Sequence, residues 1–331
     1  NFRSSIDSVE RFLQPTLVLT HLPMAERHLQ ADATEAEVEE AMNFTSDSAL
    51  MIAHERALET ERGEDALVKD PYARQLAGQK GPTLSEQFSA SFSHFGFKDW
   101  PEFHQTWTVV RSKFIDDTIN SLATEDCGCL QLVNLGAGMD TRVLRLQSYR
   151  NLDASYEVDL ENINKAKTVL FSTLKAEPLC EVHLVTADLL ESTGLATSLA
   201  AEGFDHFTPS ILLAEGLIQY LRGEEERLIS SISAIASVGS TLILQYLDAT
   251  DIAKANPDSH LSGLLKRRHL ERWLEKAGWS EFENQVYGDE VLNYGRFKAD
   301  ESPNPCFSFM VCKKIMDDPA YVRERTSLSM C

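Results

Sequence analysis

The 331 residues are 43% hydrophobic and 25% charged, enough apolar material for one large α/β domain or two small ones. A formal net charge of -20 repels phosphate backbones and anionic bilayers, so neither nucleic acid nor membrane is expected as a partner, and no apolar run reaches the length of a span. The six cysteines (Cys127, Cys129, Cys180, Cys306, Cys312 and Cys331) lack the paired spacing of a zinc site, so free thiols in a cytoplasmic, reducing setting are expected and no metal is.

The chain opens on Asn1 and not on a methionine, so an upstream tag, targeting peptide or leader is expected. Residues 1–44 read as an N-terminal appendage with an acidic helical run from Glu35 to Met42. Residues 45–128 read as a helical region, with helices from Thr45 to Glu59, from Ala73 to Leu76 after Asp70-Pro71, and from Trp107 to Leu122. The connection from Gly78 to Pro101 is rich in Ser, Phe and Gly, too apolar for a solvated linker, and reads as a lid. Residues 129–314 then alternate strand-like and helix-like stretches, and 315–331 form a C-terminal tail. Strands are expected at 130–135, 154–158, 181–187, 210–215, 240–247 and 306–313, with helices at 141–149, 161–174, 194–202, 223–236 and 267–277. Strands separated by helices make a parallel sheet with right-handed crossovers, into which the last strand inserts late.

In such a sheet ligands sit beyond the carboxyl ends of the strands, so the strand tips are the places to search. The first run, Leu130 to Leu135, ends abruptly in Gly136-Ala137-Gly138-Met139-Asp140-Thr141-Arg142. That is a strand turning into a helix through a backbone that a ligand can approach closely. The second tip carries Asp159, twenty-three residues beyond Gly136, where an acid holds the two hydroxyls of an adenosine ribose. The third carries Asp188-Leu189, suited to an adenine amino group, and the fourth ends in Glu215-Gly216. A dinucleotide fingerprint requires a third glycine where this chain has Thr141, and the Asp140 carboxylate at the mouth of the turn would repel a pyrophosphate. It suits a cofactor with an amine and a sulfonium, namely S-adenosylmethionine. Arg111, just upstream of the first strand, supplies the cation that the free carboxylate of such a cofactor needs.

These segments, with Tyr156-Glu157-Val158-Asp159, Ala187-Asp188-Leu189 and Leu212-Leu213-Ala214-Glu215-Gly216-Leu217-Ile218-Gln219-Tyr220-Leu221, resemble the leucine carboxyl methyltransferase family of class I S-adenosylmethionine-dependent methyltransferases. The resemblance runs from about Thr45 to Lys313 and includes Asp70-Pro71-Tyr72-Ala73 and the Arg111 helix. It implies a Rossmann-like α/β methyltransferase fold: a mostly parallel seven-stranded sheet, helices on both faces and an N-terminal helical lid. It also implies that Arg111 binds the cofactor carboxylate, that Gly136 contacts the methionine portion, and that Asp159 holds the ribose; Gly138 and Asp140, in the same turn as Gly136, are further cofactor-binding candidates. Asp188 and Leu189 would edge the adenine, and Glu215 would face the amino end.

One branch of that family methylates the C-terminal leucine carboxylate of type 2A protein phosphatase catalytic subunits. The lead-in from Ser48 through Asp65-Ala66-Leu67-Val68-Lys69-Asp70 looks instead like the bacterial-type branch, several members of which look like O-methyltransferases of small metabolites. The expected reaction is therefore methyl transfer to a carboxylate or hydroxyl of a small-molecule acceptor, with the phosphatase tail as the alternative. A carboxylate needs no base, whereas an alcohol or phenol benefits from one. His54, His94, His104 and Tyr220 are the candidates, and none is singled out. The acceptor pocket is sought among the 216–221 loop, the 78–106 lid and the 248–266 insertion, with Tyr246, Tyr287 and Tyr294 as candidate lining.

Overall fold

Five strands form the parallel part of one sheet: β1 (Gln131–Leu135), β2 (Ala154–Asp159), β3 (Glu181–Thr186), β4 (Ser210–Ala214) and β5 (Thr241–Leu247). β6 (Trp279–Tyr287) and β7 (Asn304–Lys314) complete seven strands in the order β3-β2-β1-β4-β5-β7-β6, with β7 antiparallel to both its neighbours. The computed structural model describes Thr34 and residues 47–92, 100–124, 131–221, 223–248, 265–287, 289–296 and 304–317. The appendage helix at 35–42, His94, nearly all of the 248–266 insertion and the tail beyond Asp317 lie outside the described residues. No helix among the described residues is long and apolar enough to cross a membrane.

β1 and β4 are buried along their whole lengths, which is why they read in sequence as continuous runs and not as alternations. β6 escapes the sequence reading for the opposite reason. It is a partly exposed edge strand, Trp279-Ser280-Glu281-Phe282-Glu283-Asn284-Gln285-Val286-Tyr287, whose pairing with β7 shifts register twice. Glu281 sits there at φ 54°, and the irregularity destroys the two-residue period.

The helices, in chain order, are α1 (Asp47–Thr60), α2 (Ala73–Ala77), α3 (Lys80–Phe92), α4 (Trp100–Leu122), α5 (Arg142–Arg145), α6 (Glu161–Thr173), α7 (Ser192–Ala201), α8 (Glu225–Ile235) and α9 (Arg267–Lys276). Two expectations need correction. The 78–101 connection is not a loop, since residues 80–92 are helical and α4 begins at Trp100. Pro82 lies in the first turn, where its missing N–H costs nothing, and Leu84, Phe88 and Phe92 recur every four residues beneath the Ser and Gly that masked them. The helix expected at 141–149 stops at Leu146, whose backbone is extended, and resumes as a 3-10 turn at Gln147–Asn151.

The chain divides into two compact units, one formed by residues up to Val109 with Lys165–Glu177 and the other by Val110–Asn164 with the residues from Pro178 onward. In the first unit α1 packs on α2 and α3. Arg56 of α1 bonds through Nε to the buried Asp70 Oδ2 at 2.9 Å, while Asp70 Oδ1 accepts the N–H of Tyr72 at 3.1 Å. The Asp-Pro-Tyr-Ala segment thus enters α2 from a buried ion pair. In the second unit Leu135, Val158, Leu212, Ile232 and Leu244 form a core with no exposed surface.

The α1 and α3 backbones meet at Gly81. A Cβ there would lie 2.9 Å from both Ala77 Cβ and His54 Cβ and 3.0 Å from the Leu50 carbonyl oxygen. Gly81→Ala should therefore destabilise the protein by about 1–3 kcal/mol, because overpacking outweighs the helix propensity that alanine adds. Urea unfolding of the two proteins measures this, and a more stable alanine variant would refute it.

Candidate functional site

Strand register brings the sequence-distant tips together. Leu135 of β1 pairs with Ala214 of β4 and with Val158 of β2, so the next residues along, Gly136, Glu215 and Asp159, sit side by side. Asp159 in turn pairs with Thr186, which carries Ala187-Asp188 alongside. The β1/β4 boundary is also where the strand order reverses, the position at which an open α/β sheet leaves a crevice.

The glycine turn is held by the neighbouring strand. The N–H groups of Gly136 and Ala137 donate to Val158 O at 2.9 and 3.1 Å, and that of Gly138 donates to Asp159 Oδ2 at 2.8 Å. Gly136 has φ +67°, and a Cβ on it would press to 3.1 Å from Leu217 Cδ1, so glycine is required by both backbone and space. Asp159 Oδ1 accepts the Leu160 N–H at 2.8 Å, so two amides aim its carboxylate. Asp188 is exposed and accepts the Leu190 N–H at 2.9 Å, while Leu189 packs partly on the core.

At the centre lies a side chain that the sequence reading passed over, Arg142. Its guanidinium is buried and donates from Nε to Asp116 Oδ1 at 2.7 Å and from Nη1 to Asp140 Oδ2 at 2.6 Å and Glu215 Oε2 at 2.8 Å. Asp116 also accepts from Arg145 Nη1 at 2.6 Å, and Glu215 Oε1 faces Arg111 Nε at 2.6 Å. That last contact is an ion pair whose N–H is not aligned as a hydrogen bond. Three arginines thus meet three carboxylates. Burial opposes the charge on Arg142, but Asp140, Glu215 and Asp116 outweigh it and hold the guanidinium well above its ordinary range. Burial likewise opposes ionisation of Glu215, and Arg142 and Arg111 reverse that, leaving its carboxyl below the usual glutamate range.

Of the residues expected at the site, Arg111, Gly136, Gly138, Asp140, Asp159 and Glu215 are joined by these contacts. Asp140 is directed inward to the fold, with Oδ1 on the Arg142 N–H at 2.8 Å and Oδ2 also on Asn134 Nδ2 at 3.0 Å. Asp116, Asn134, Arg142 and Arg145 are the additions. Arg142 was legible only as the residue closing the turn motif; nothing in its spacing announced three carboxylate partners.

The other candidates fall elsewhere. Tyr246 is fully buried with its hydroxyl on Asn284 Oδ1 at 2.5 Å, and Tyr287 is buried against the Phe307 ring, so both are core side chains rather than pocket lining. Tyr294 donates to Asp117 Oδ2 at 3.2 Å. His104 Nδ1 lies 2.8 Å from the buried Glu55 Oε1, His54 is half-buried beside Arg74, and Tyr220 is exposed.

Arg142→Ala should destabilise the protein by about 3–5 kcal/mol, because three carboxylates lose one buried counter-charge, and Arg142→Lys should recover only part of it. Since Glu215 is depressed in the folded state, its stabilising contribution is complete above the ordinary glutamate value of about 4.3 and is lost as pH falls through the lower folded value. Glu215→Gln should therefore be less stable than wild type at neutral pH, with a shallower decline of stability below about pH 4. Denaturant titrations across pH measure both, and parallel pH profiles would refute the second.

Residues 49–233 match the model of the leucine carboxyl methyltransferase family. A Mycobacterium tuberculosis protein, whose name gives it as a proposed S-adenosyl-L-methionine-dependent methyltransferase, is 31% identical over 251 residues, covering 73% of this chain and 68% of its own length. A Mycobacteroides abscessus protein of the same name is 30% identical over 285 residues, covering 81% and 92%. One from Mycolicibacterium vanbaalenii, again of that name, is 33% identical over 235 residues, covering 66% and 77%. The chain, with its glycine turn on β1 and its acid on β4, belongs to the leucine carboxyl methyltransferase family.

Proposed function

We propose that this enzyme transfers a methyl group to a carboxylate or hydroxyl oxygen of a small-molecule acceptor in the cytoplasm. It is an S-adenosylmethionine-dependent methyltransferase, and S-adenosylmethionine is its cofactor. The observation that carries the site assignment is the Arg111–Glu215 pair beside the positive-φ Gly216, at a strand tip adjacent to that of the positive-φ Gly136. It offers a cation and an anion to the zwitterionic end of an amino acid.

In this reading Arg111 takes the cofactor's carboxylate and Glu215 its ammonium, while Gly136 leaves room for the methionine portion. Asp159, aimed by the amides of Gly138 and Leu160, accepts from the ribose hydroxyls, and Asp188 with Leu189 borders the adenine. Asp140 contributes by holding Arg142, which in turn holds Glu215. The reading is supported by the match of Arg111 and Glu215 to the charges of the group and by the glycines, which permit a close backbone approach. Bound there, S-adenosylmethionine supplies an electrophilic methyl on a sulfonium. The chain's part is alignment and the exclusion of water. The 78–106 region serves as the lid in this proposal, supported by its apolar composition and by the need to keep water from the sulfonium. The small-molecule acceptor is supported by the bacterial-type lead-in from Ser48 to Ala73.

Asp159→Ala should weaken binding of S-adenosylhomocysteine by about 2–4 kcal/mol, since it removes a charged acceptor from two hydroxyls. Arg111→Ala should weaken S-adenosylhomocysteine far more than adenosine, which lacks the carboxylate. Calorimetry measures both, and unchanged affinities in folded variants would sink the assignments. Tritiated methyl transfer to a metabolite extract, run beside a phosphatase C-terminal peptide, tests the acceptor: label in the peptide alone would overturn the small-molecule reading.

A further inference from the structure

We propose that Gln219 is a specificity-determining residue whose side-chain oxygen accepts a hydrogen bond from the ammonium group of the bound cofactor, an inference that rests on the cofactor reading above. Beyond β4 the chain passes through Glu215 and Gly216 into a tight 3-10 turn, Ile218–Tyr220. The Tyr220 N–H donates to Leu217 O at 3.0 Å and the Leu221 N–H to Ile218 O at 3.1 Å, while Ile218 is buried in the core. Backbone and anchor together fix the direction of the intervening Gln219.

That direction is toward Gly216. A Cβ placed on Gly216 would lie 3.8 Å from Arg111 Nη1 and 3.9 Å from Gln219 Nε2, so the two side chains converge on space that only a glycine leaves. Gly216 has φ +63°, and its N–H is tied to Gln245 Oε1 at 2.8 Å, which holds the gap in shape. The Gln219 atom nearest the Gly216 position is Nε2, and Oε1 of the same amide is buried without a hydrogen-bond partner. A buried acceptor left unpaired is unfavourable, and a donor arriving with a ligand would satisfy it.

The chemistry of that donor follows from its neighbours. Glu215 already shares Oε1 with Arg111 and Oε2 with Arg142. An ammonium has three N–H groups, more than a carboxylate engaged twice can satisfy alone. A neutral amide oxygen one turn further along the loop supplies another acceptor without adding charge to a balanced cluster. The ligand selected is thus an amino-acid end with a free amine.

The test is calorimetry with two probes, S-adenosylhomocysteine and its analogue lacking the α-amino group. Gln219→Met, similar in size and without an acceptor, should bind S-adenosylhomocysteine about tenfold more weakly and the deaminated analogue as wild type does. Gln219→Glu, which keeps an oxygen acceptor, should preserve or raise the preference for the aminated probe. Equal affinity of wild type and Gln219→Met for S-adenosylhomocysteine would overturn the inference and leave the cofactor reading intact. So would equal losses for both probes, or a Gln219→Glu protein with reduced preference for the aminated probe. If wild type itself binds neither probe, the cofactor reading fails and the inference falls with it.

Discussion

One guanidinium, that of Arg142, makes the crevice at the strand tips possible. Asp116, Asp140 and Glu215 come from a helix, a turn and a strand end, and each would repel the others in a buried setting. With Arg142 among them, and Arg145 and Arg111 at the flanks, the cluster is balanced and each carboxylate is fixed by geometry and not by solvent. At the start of the short helix α5 the Arg142 backbone N–H donates to Asp140 Oδ1, while its side chain reaches Glu215 just beyond β4.

Sheet topology explains why this chemistry sits where it does. β1 has β2 on one side and β4 on the other, and the chain leaves the sheet in opposite directions from that boundary. The β1 and β4 tips therefore flank the position at which an open sheet of this order leaves a crevice. The glycines at 136 and 216 are the matching local condition. Their positive φ lets each strand turn away at once, and the missing Cβ atoms leave space against Leu217 on one side and between Arg111 and Gln219 on the other. Rigid strands set the spacing, and the loops set the chemistry.

The helical first unit shows a motif with a purely local cause. Asp70-Pro71-Tyr72-Ala73 serves as a family signature in the sequence, yet its physical role is structural. Asp70 pairs with Arg56, accepts the Tyr72 N–H, and donates its own backbone N–H to Thr60 Oγ1 at 2.9 Å, so three contacts orient the entry into α2. Glu59 similarly accepts the Leu67 N–H at 2.6 Å. Arg56 and Glu59 of α1 thus serve the loop between α1 and α2, and Glu55 meets His104 and Thr108 of α4, which explains a helix whose apolar stripe is interrupted by these three residues.

By itself the sequence determined the parallel strands and the turn that follows β1. Buried strands are continuous apolar runs, and a glycine needed for backbone conformation cannot be hidden by context. It likewise marked Asp159, Asp188 and Glu215, because acids that end such runs are visible in one dimension. β6 was lost because an irregular edge strand carries no period, and α3 because Ser, Gly and Pro at its start obscure a four-residue repeat that begins only at Leu84. Only the tertiary structure decided which charges meet. Arg142 lies 26 residues from Asp116 and 73 from Glu215, and no local pattern encodes those pairings. Strand register and the docking of α4, whose Phe114 ring lies tilted with its centroid 4.4 Å from that of Phe309 of β7, bring them together. Charge partners across a fold are set by packing, which the chain specifies as a whole and not at any single site.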